Sequence, residues 1–237
     1  MPIETAKQTK LRVFLVEDHP LVRKGIADCI CDETDMMVCG QAANSIEALA
    51  GIAREKPDLV LVDISIPGRD GIELTKEIKA AHRHVYVLVL SIHDESLYAQ
   101  RALRAGASGY MMKSAPAIEL IKAIRDVCAG KTSVSDRIRD QLFQIALSNN
   151  SKTERTPLER LTDREIEVLR LYGEGQPRGQ IASKLNLSIK TVESHRANIC
   201  HKLSLNSSIE FMRFSIEFIR DETNAPPPLT PRSQNKK

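Results

Sequence analysis

The sequence predicts a doubly wound α/β domain with a five-stranded parallel sheet, followed by a small all-α domain. In the first 130 residues, short apolar runs alternate five times with stretches of helical periodicity. Continuous apolar strands that alternate with helices are typical of a parallel sheet covered on both faces. From Leu161 only short helical patterns remain. A chain of 237 residues is long enough for two such domains.

The elements of the first domain follow from composition and spacing. The predicted strands are Leu11–Val16, Met37–Ala42, Leu59–Val62, Tyr86–Leu90 and Gly109–Met112. The predicted helices are Leu21–Ile30, Ile46–Arg54, Ile72–Ala81, Leu97–Ala105 and Ile118–Ala129. These units together predict one domain over residues 10–130.

The C-terminal domain opens with a helix-capping signature. Thr162-Asp-Arg-Glu165 has the spacing of a capping box, and its helix should end near Gly173. Pro177 and Ser188 can open two further helices, and a fourth should span roughly residues 207–220. The predicted segments are an N-terminal extension (1–9), a linker with a helix (131–157), the helical domain (158–222) and a disordered tail (223–237).

Bulk composition narrows the class of protein. Hydrophobic residues make up 42% and charged residues 27% of the chain, which is ordinary for a globular protein. No run approaches the ~18 apolar residues that a membrane span needs, and residues 1–10 lack a signal-peptide core. We therefore expect a cytoplasmic protein without membrane contact. The five cysteines lack a second pair at metal-ligand spacing, which favours reduced thiols over a zinc site.

Positive charge is concentrated in the C-terminal part. Residues 151–237 hold 15 of the 34 Lys and Arg residues and 11 of the 31 Asp and Glu residues. The net charge is therefore +4 in this part and −1 before it, out of +3 in all. This imbalance favours a polyanionic partner.

Charged and polar residues follow four of the predicted strands. Glu17 and Asp18 follow the first strand, Asp63 the third, Ser91 the fourth and Lys113 the fifth. In an open parallel sheet, ligands bind beyond the carboxyl ends of the strands. Three converging carboxylates repel one another and need a cation, and oxygen ligands suit a hard ion such as Mg²⁺. The alternative is that polar residues simply mark the ends of strands, where loops begin. This alternative would explain one such position more readily than five.

An ordered set of motifs resembles the receiver domain of two-component response regulators. The motifs are Val16-Glu-Asp-His-Pro20, Val62-Asp-Ile-Ser-Ile-Pro-Gly68 with Gly71, Ser91, and Gly109-Tyr-Met-Met-Lys113. The resemblance covers about residues 10–130. It implies that Asp63 accepts a phosphoryl group from a sensor histidine kinase.

The same resemblance implies roles for the residues around Asp63. Mg²⁺ would be held by Glu17, Asp18, Asp63 and the backbone carbonyl of Ser65. Lys113 would pair with phosphate oxygen, and Ser91 and Tyr110 would form the switch pair; packing in the strand is the alternative for Tyr110. His19 and Pro20 fit a helix start, and we expect no metal role for His19.

A second resemblance covers about residues 158–222. Four segments resemble the LuxR-type helix-turn-helix: Leu161-Thr-Asp-Arg-Glu-Ile-Glu-Val-Leu169, Ile181-Ala182, Ile189-Lys-Thr-Val-Glu-Ser-His-Arg-Ala-Asn-Ile199 and Lys202-Leu203. Combined with a receiver, this is the layout of the NarL/FixJ subfamily. The resemblance implies double-stranded DNA as a partner and dimerisation through the last helix. Phe211, Phe214 and Phe218 form its apolar stripe, for which packing in the core is the alternative.

The third helix of this domain would bury one stripe and offer the other to the major groove. At about 100° per residue, Val192, Ile199 and Leu203 cluster on one side. The groove-facing candidates are Lys190, Ser194, Ala197, Asn198 and His201, flanked by Glu193; Thr191, Arg196 and Lys202 are candidates for phosphate contacts. Glu193 departs from the family, in which a basic residue is frequent there, and a carboxylate is repelled by phosphate but can accept from cytosine N4.

We therefore predict a phosphorylation-dependent DNA-binding transcription regulator that acts as a homodimer. The receiver would cover the DNA-binding face until Asp63 is phosphorylated. We expect no enzymatic activity beyond phosphoryl acceptance and slow autodephosphorylation. Two alternatives stay open: a phosphotransfer or protein-interaction module without DNA binding, which Glu193 supports, and a hydrolase of small acyl phosphates. Release from DNA at raised salt would distinguish the regulator from both.

Overall fold

The computed structural model describes residues 10–67, 70–92, 95–147, 157–185 and 187–223. A five-stranded parallel sheet flanked by helices is followed by a helical domain, which confirms the predicted fold class. The predicted N-terminal extension, residues 148–156 of the linker and residues 224–237 of the tail lie outside the described residues. Within the described part, no helix is long and apolar enough to cross a membrane.

The sheet has the strand order β2-β1-β3-β4-β5, with every neighbouring pair parallel. Its strands are β1 (Leu11–Val16), β2 (Met36–Ala42), β3 (Leu59–Asp63), β4 (Tyr86–Ser91) and β5 (Gly109–Met112). The accompanying helices are α1 (Pro20–Cys31), α2 (Ser45–Glu55), α3 (Gly71–Ala81), α4 (Glu95–Arg104) and α5 (Ala117–Cys128). The predicted bounds differ from these by a residue or two at either end.

The central strands are largely apolar because both faces of the sheet are covered, with Arg12 near the start of β1 as an exception. Alternate side chains of a strand point to opposite faces. Val13 and Leu15 of β1 pack in the core formed with α1 and α5. Phe14 and Val16 of the same strand pack in the other core, beneath α2, α3 and α4. This double coverage leaves the strand ends, where the loops begin, as the place where Glu17, Asp18 and Asp63 meet.

The segment after residue 130 packs against the first domain. The backbone N–H of Tyr110 donates to Ser133 O at 2.8 Å, and the Ser135 hydroxyl donates to Glu95 Oε1 at 2.8 Å. The helix α6 (Asp136–Leu147) follows, with Ile138 buried. The first half of the segment predicted as linker is therefore attached to α4 and β5.

In the part of the second domain that the structure describes, there are four helices and a short 3₁₀ turn. Its elements are the 3₁₀ turn (Pro157–Arg160), α7 (Asp163–Gly173), α8 (Arg178–Lys184), α9 (Ile189–Leu203) and α10 (Ser208–Thr223). The capping box is present at the start of α7, with both reciprocal hydrogen bonds between Thr162 and Glu165. Val192, Ile199 and Phe211 are fully buried. Gly173 allows α7 and α10 to approach closely, since a Cβ there would lie 2.2 Å from Ser215 O.

Candidate functional site

The residues predicted to form the acidic site meet at the carboxyl edge of the sheet. Glu17 and Asp18 follow β1, and Asp63 ends β3, the neighbouring strand. Ser91 ends β4 and Lys113 follows β5. The strand order brings these ends together, since β1, β3, β4 and β5 lie side by side in the sheet.

Lys113 lies between two buried carboxylates. Its Nζ is 2.6 Å from Glu17 Oε2 and 2.9 Å from Asp63 Oδ2. The side chains of Glu17 and Asp63 are only 1% and 3% exposed. One ammonium group therefore contacts the carboxylates of Glu17 and Asp63. Asp18 adds a third carboxylate to the same cluster, so an excess of negative charge remains for a divalent cation to balance.

Burial and neighbouring charges shift the pKa values of Asp63 and Lys113. Burial raises the pKa of Asp63; Lys113 opposes that rise and Glu17 adds to it. A hydrogen bond from the backbone of Ser65 also lowers the pKa of Asp63. Burial disfavours the charge of Lys113, but the carboxylates of Asp63 and Glu17 outweigh it and raise the Lys113 pKa. A cation at this site would favour the ionised, nucleophilic form of Asp63.

The donor set fits a divalent metal ion. Glu17, Asp18, His19 and Asp63 each offer a ligand atom, and these atoms lie within 4.8 Å of one another. Three carboxylate oxygens are buried without a well-formed hydrogen bond among the described residues: Glu17 Oε2, Asp18 Oδ1 and Asp63 Oδ2. Such oxygens rely on ionic contacts, and hard cations prefer them as ligands.

The loop after Asp63 depends on a glycine. A Cβ at Gly71 would lie 2.2 Å from the carbonyl oxygen of Asp63 and 2.8 Å from Ile64 Cα. The backbone N–H of Gly71 donates to Ile64 O at 2.9 Å. The start of α3 can therefore fold directly over the acidic residue only when position 71 has no side chain.

The two residues predicted as a switch pair lie on neighbouring strands. Ser91 and Tyr110 are both buried, and β5 pairs with β4 along this edge. The backbone N–H of Lys113 donates to Ser91 O at 2.7 Å. The ends of β4 and β5 are thus joined beside the acidic cluster.

The predicted DNA-contact residues lie on α9. Ser188 caps this helix by accepting from the backbone N–H of Thr191. The groove-facing candidates are exposed: Lys190, Glu193, Ser194, Ala197, Asn198 and His201. Arg178 of α8 was not among the predicted residues, yet its Nη1 lies 2.7 Å from Glu193 Oε1. No local sequence pattern signals this pair, because it joins two helices.

Two of the predicted flanking residues are engaged inside the domain. Arg196 donates to the Ser208 hydroxyl at 2.7 Å, and its guanidinium lies 5.1 Å from the centre of the Phe211 ring. Lys202 Nζ lies 2.6 Å from Glu165 Oε2, the capping-box carboxylate of α7. These contacts tie α9 to α10 and to α7, so both residues stabilise the helical domain.

Two family models match the chain. Residues 13–125 match the response regulator receiver domain, and residues 159–215 match the bacterial regulatory proteins of the luxR family. The chain is 36% identical to the response regulator GacA of Pseudomonas viridiflava over 210 residues, which covers 87% of this chain and 95% of GacA. This chain belongs to the LuxR-type response regulators.

Other relatives of the response regulator agree with this assignment. The oxygen regulatory protein NreC of Staphylococcus aureus (strain JH9) is 35% identical over 211 residues, covering 87% of this chain and 97% of NreC. RcsB from Salmonella enterica serovar Typhimurium, solved bound to promoter P1flhDC in the presence of the phosphomimetic BeF3-, is 26% identical. That structure covers 88% of this chain and 100% of its own, with a TM-score of 0.62.

An arginine of the receiver holds the start of the helical domain of this response regulator. Arg101 of α4 donates through Nη1 to Leu161 O at 3.0 Å and to Asp163 Oδ1 at 2.9 Å. Its Nη2 donates to Leu158 O at 2.8 Å. Lys76 of α3 contacts the other oxygen of Asp163 at 2.8 Å. We call this set of contacts, centred on Arg101 and Asp163, the interdomain contact.

Buried acids border the interdomain contact. Asp70 accepts from the backbone N–H groups of Ile72 and Glu73, both at 2.8 Å. Burial, together with the nearby charge of Glu167, raises the pKa of Asp70 to about 7. Burial also raises the pKa of Glu167 against the opposing charge of Arg164. The two domains therefore pack closely enough to exclude much of the water around these acids.

The receiver does not cover the DNA-contact face in this arrangement. The interdomain contact uses the 3₁₀ turn and α7, whereas the groove-facing side chains of α9 are exposed. The expected covering of that face by the receiver is therefore wrong for the structure described here. The sequence alone did not show which face of the helical domain would meet α4.

The apolar stripe of α10 is divided between core and surface. Phe211 and Phe218 are buried in the helical domain, and Phe214 is partly buried against the same core, so the phenylalanine stripe packs in the core. A different stripe, formed by Ile209, Met212 and Ile216, is exposed. It borders a groove of about 490 Å³ that Arg213, Glu217 and Arg220 also line.

Replacing Lys202 with Met should lower the free energy of unfolding of the helical domain by about 1–3 kcal/mol. Glu165 is only 3% exposed and would lose the cation that compensates its charge. Burial disfavours ionised Glu165, but the hydrogen bonds from Lys202 and Thr162 outweigh it and lower its pKa. The difference in the free energy of unfolding between variant and wild type should reach its full value above a pH of about 4.3. It should shrink as Glu165 becomes protonated at lower pH.

Urea unfolding, followed by circular dichroism at several pH values, measures this difference. Lys190→Met is the matched control, because Lys190 is exposed on the same helix and loses the same charge. Equal losses in the two variants, or a loss that does not depend on pH, would contradict the role assigned to the Lys202–Glu165 pair.

Proposed function

We propose that this response regulator controls transcription by binding double-stranded DNA after Asp63 accepts a phosphoryl group. The observation that carries the proposal is the position of Asp63. It is a buried carboxylate at the carboxyl edge of a parallel sheet, 2.9 Å from Lys113 Nζ and beside Glu17. A LuxR-type domain on the same chain supplies the output.

The acidic site suits transfer from a phosphohistidine. An Asp63 oxygen forms the new P–O bond as the P–N bond breaks, and the leaving imidazole nitrogen takes up a proton. When bound, Mg²⁺ supplies positive charge that offsets the charge on the phosphoryl oxygens. Glu17, Asp18, Asp63 and the backbone carbonyl of Ser65 would hold it. We expect no other reaction than slow loss of the phosphoryl group to water.

Lys113 and the switch pair respond to the new phosphoryl group. Phosphorylation turns the Asp63 carboxylate into an acyl phosphate, a mixed anhydride, and the negative charge moves outward to the phosphoryl oxygens, where Lys113 can contact it. The Ser91 hydroxyl would then donate to a phosphoryl oxygen. Because Ser91 lies beside β5, its movement would displace Tyr110. It would also displace α4, which begins soon after β4.

The exposed apolar residues beside the acidic site suit docking of a sensor histidine kinase. Leu21 on α1 is 86% exposed and Ile118 on α5 is 78% exposed. The two helices are neighbours, and each begins shortly after the acidic site, following Asp18 or Lys113. A kinase domain that covers this pair would bring its phosphohistidine to Asp63.

The α9 face suits the major groove of DNA. Apart from Ile189 at the start of the helix, its exposed side chains are small or polar, and Val192 and Ile199 anchor the opposite side in the core. Arg178 neutralises Glu193 across the two helices, which weakens the argument that Glu193 makes this a module without DNA binding. Because the DNA of a bacterium lies in its cytoplasm, we place the protein there.

The exposed stripe of α10 suits a second copy of the chain. Ile209, Met212 and Ile216 recur at i, i+3 and i+7, the spacing of one helix face. Arg213 and Glu217 line the same groove, so two antiparallel copies of α10 could pair opposite charges. A dimer formed here would present two α9 helices to half-sites about one helical turn apart.

The interdomain contact offers a route from Asp63 to DNA binding. Since α9 stays exposed, the receiver would act by fixing the orientation of the helical domain. Arg101 holds that domain from α4, the helix that follows Ser91. A domain held in one orientation adapts poorly to the half-site spacing that a dimer must satisfy. Release of Arg101 from Asp163 after phosphorylation would remove this restriction.

Replacing Asp63 with Asn should abolish labelling of the full chain by a small acyl phosphate in the presence of Mg²⁺. The amide lacks the nucleophilic charge, and no other described carboxylate lies beside Lys113 except Glu17. Phosphate-affinity electrophoresis measures the label. Asp28→Asn, which changes an exposed aspartate of α1, should label as wild type. Wild-type labelling of Asp63→Asn would place the acceptor elsewhere.

Replacing Lys190 or Ser194 with Ala should weaken binding to selected genomic DNA by about 1–3 kcal/mol and relax the preference at one base position. Both residues are exposed on α9, so the fold should be preserved. Binding to a library of single-base changes measures the effect. Lys122→Ala, an exposed lysine of α5, removes the same charge from the receiver and should not alter the preference. Unchanged affinity and preference in both α9 variants would show that this helix does not contact bases.

Replacing Arg101 with Gln should raise the DNA affinity of the unphosphorylated protein about fivefold or more. Loss of a positive charge alone would lower the affinity, so an increase can only come from release of the helical domain. The DNA affinity of the phosphorylated protein should change little. Fluorescence anisotropy with labelled DNA measures both states. Arg104→Gln, exposed on the same helix, serves as the control, and an Arg101→Gln protein that binds no better than this control would exclude the proposed restriction.

A further inference from the structure

The imidazole of His19 is directed at the acidic site. Its Nδ1 lies 2.7 Å from Asp18 Oδ1 and 3.3 Å from Glu17 Oε1. The backbone N–H of His19 also donates to Glu17 Oε1 at 3.1 Å. The side chain is 67% exposed, so burial does not force it into this position.

Helix capping does not account for this placement. His19 is the N-cap residue of α1, but its side chain makes no capping hydrogen bond. Ser, Thr, Asp and Asn are the residues that cap helices well. The ring is instead held among carboxylates, where it contributes either a proton donor or a nitrogen lone pair.

The distances are compatible with coordination of one ion. The ligand atoms of Glu17, Asp18, His19 and Asp63 lie within 4.8 Å of one another. Two ligands bound at about 2.1 Å from the same ion can be at most about 4.2 Å apart. Small side-chain rotations would therefore bring His19 into the coordination shell of an ion held by the carboxylates.

We propose that His19 adds a nitrogen ligand to this site and gives it a second class of cation, borderline divalent transition metals such as Ni²⁺ and Cu²⁺. Mg²⁺ prefers oxygen ligands and water, so it would bind through the carboxylates without His19. Imidazole nitrogen suits the transition metals. The inference rests on the proposed metal site at Asp63, and it replaces the expectation that His19 has no metal role.

Titration of the untagged full chain with Ni²⁺ or Mg²⁺ alone, followed by calorimetry, tests the proposal. His19→Asn removes the imidazole and places a good N-cap residue at the start of α1, so the helix is retained. Ni²⁺ affinity should fall roughly tenfold or more, while Mg²⁺ affinity should change by less than about twofold. His84→Asn is the matched control, since His84 is an exposed histidine just before β4, at the opposite edge of the sheet.

Pulsed electron paramagnetic resonance gives a second readout. With Cu²⁺ bound, a coordinated imidazole nitrogen modulates the signal, and this modulation should be present in the wild type and absent in His19→Asn. Equal Ni²⁺ affinity in the two proteins, equal losses for Ni²⁺ and Mg²⁺, or no nitrogen modulation in the wild type would each overturn the proposal.

The proposed phosphoryl transfer is tested separately. Mg²⁺-supported labelling of His19→Asn should persist, because the carboxylates remain. Failure of the wild type to label at Asp63 would count against the proposed function, whereas the metal titrations would still decide the role of His19.

Discussion

The charge balance at the carboxyl edge of the sheet constrains much of this molecule. Glu17 and Asp63 are almost completely buried, and Lys113 between them is the ammonium group that makes this arrangement tolerable. An ionised carboxylate is costly to bury without a partner. The three groups come from the ends of β1, β3 and β5, so the parallel sheet must hold those ends in register for the charges to meet. Fold and site are therefore inseparable here.

The position of the site at this edge also lets a change of charge act on neighbouring strands. A phosphoryl group or a cation changes the charge around Lys113 and Asp63, and the ends of β4 and β5 lie within one hydrogen bond of this change. The helix α4 continues from β4 and carries Arg101, which contacts the carbonyl groups and the carboxylate at the start of the helical domain. Arg101 thus connects α4, the helix that follows Ser91 in the chain, to the start of the second domain.

The helical domain is organised around its own buried acid. Glu165 closes the capping box of α7 and accepts from Lys202 of α9. Arg196 links α9 to α10 through Ser208 and the Phe211 ring. These contacts use the basic flanks of α9 for packing, which leaves its exposed face to polar and small residues. The domain therefore separates the side chains that hold α9 from those available to a partner.

Much of the fold could be predicted because its signals are local. Apolar runs of the right length indicated the five strands, and the Thr162–Glu165 spacing indicated the start of α7. The acidic site was also predictable, since parallel strands bring their carboxyl ends to one edge. Pairs such as Arg178–Glu193 and Lys202–Glu165 were not, because they join residues of different helices whose relative rotation no local pattern specifies.

By itself, the sequence determined the succession of elements and the residues at the strand ends, through periodicity and burial of apolar side chains. Only the tertiary structure decided which of two apolar stripes on α10 faces the core, where Phe211 and Phe218 are buried and Ile209 and Ile216 are exposed. It also decided that α4 meets α7 and leaves α9 uncovered, and that the ring of His19 lies against Asp18. These outcomes depend on how helices rotate and pack against one another, and packing energy depends on all the partners at once.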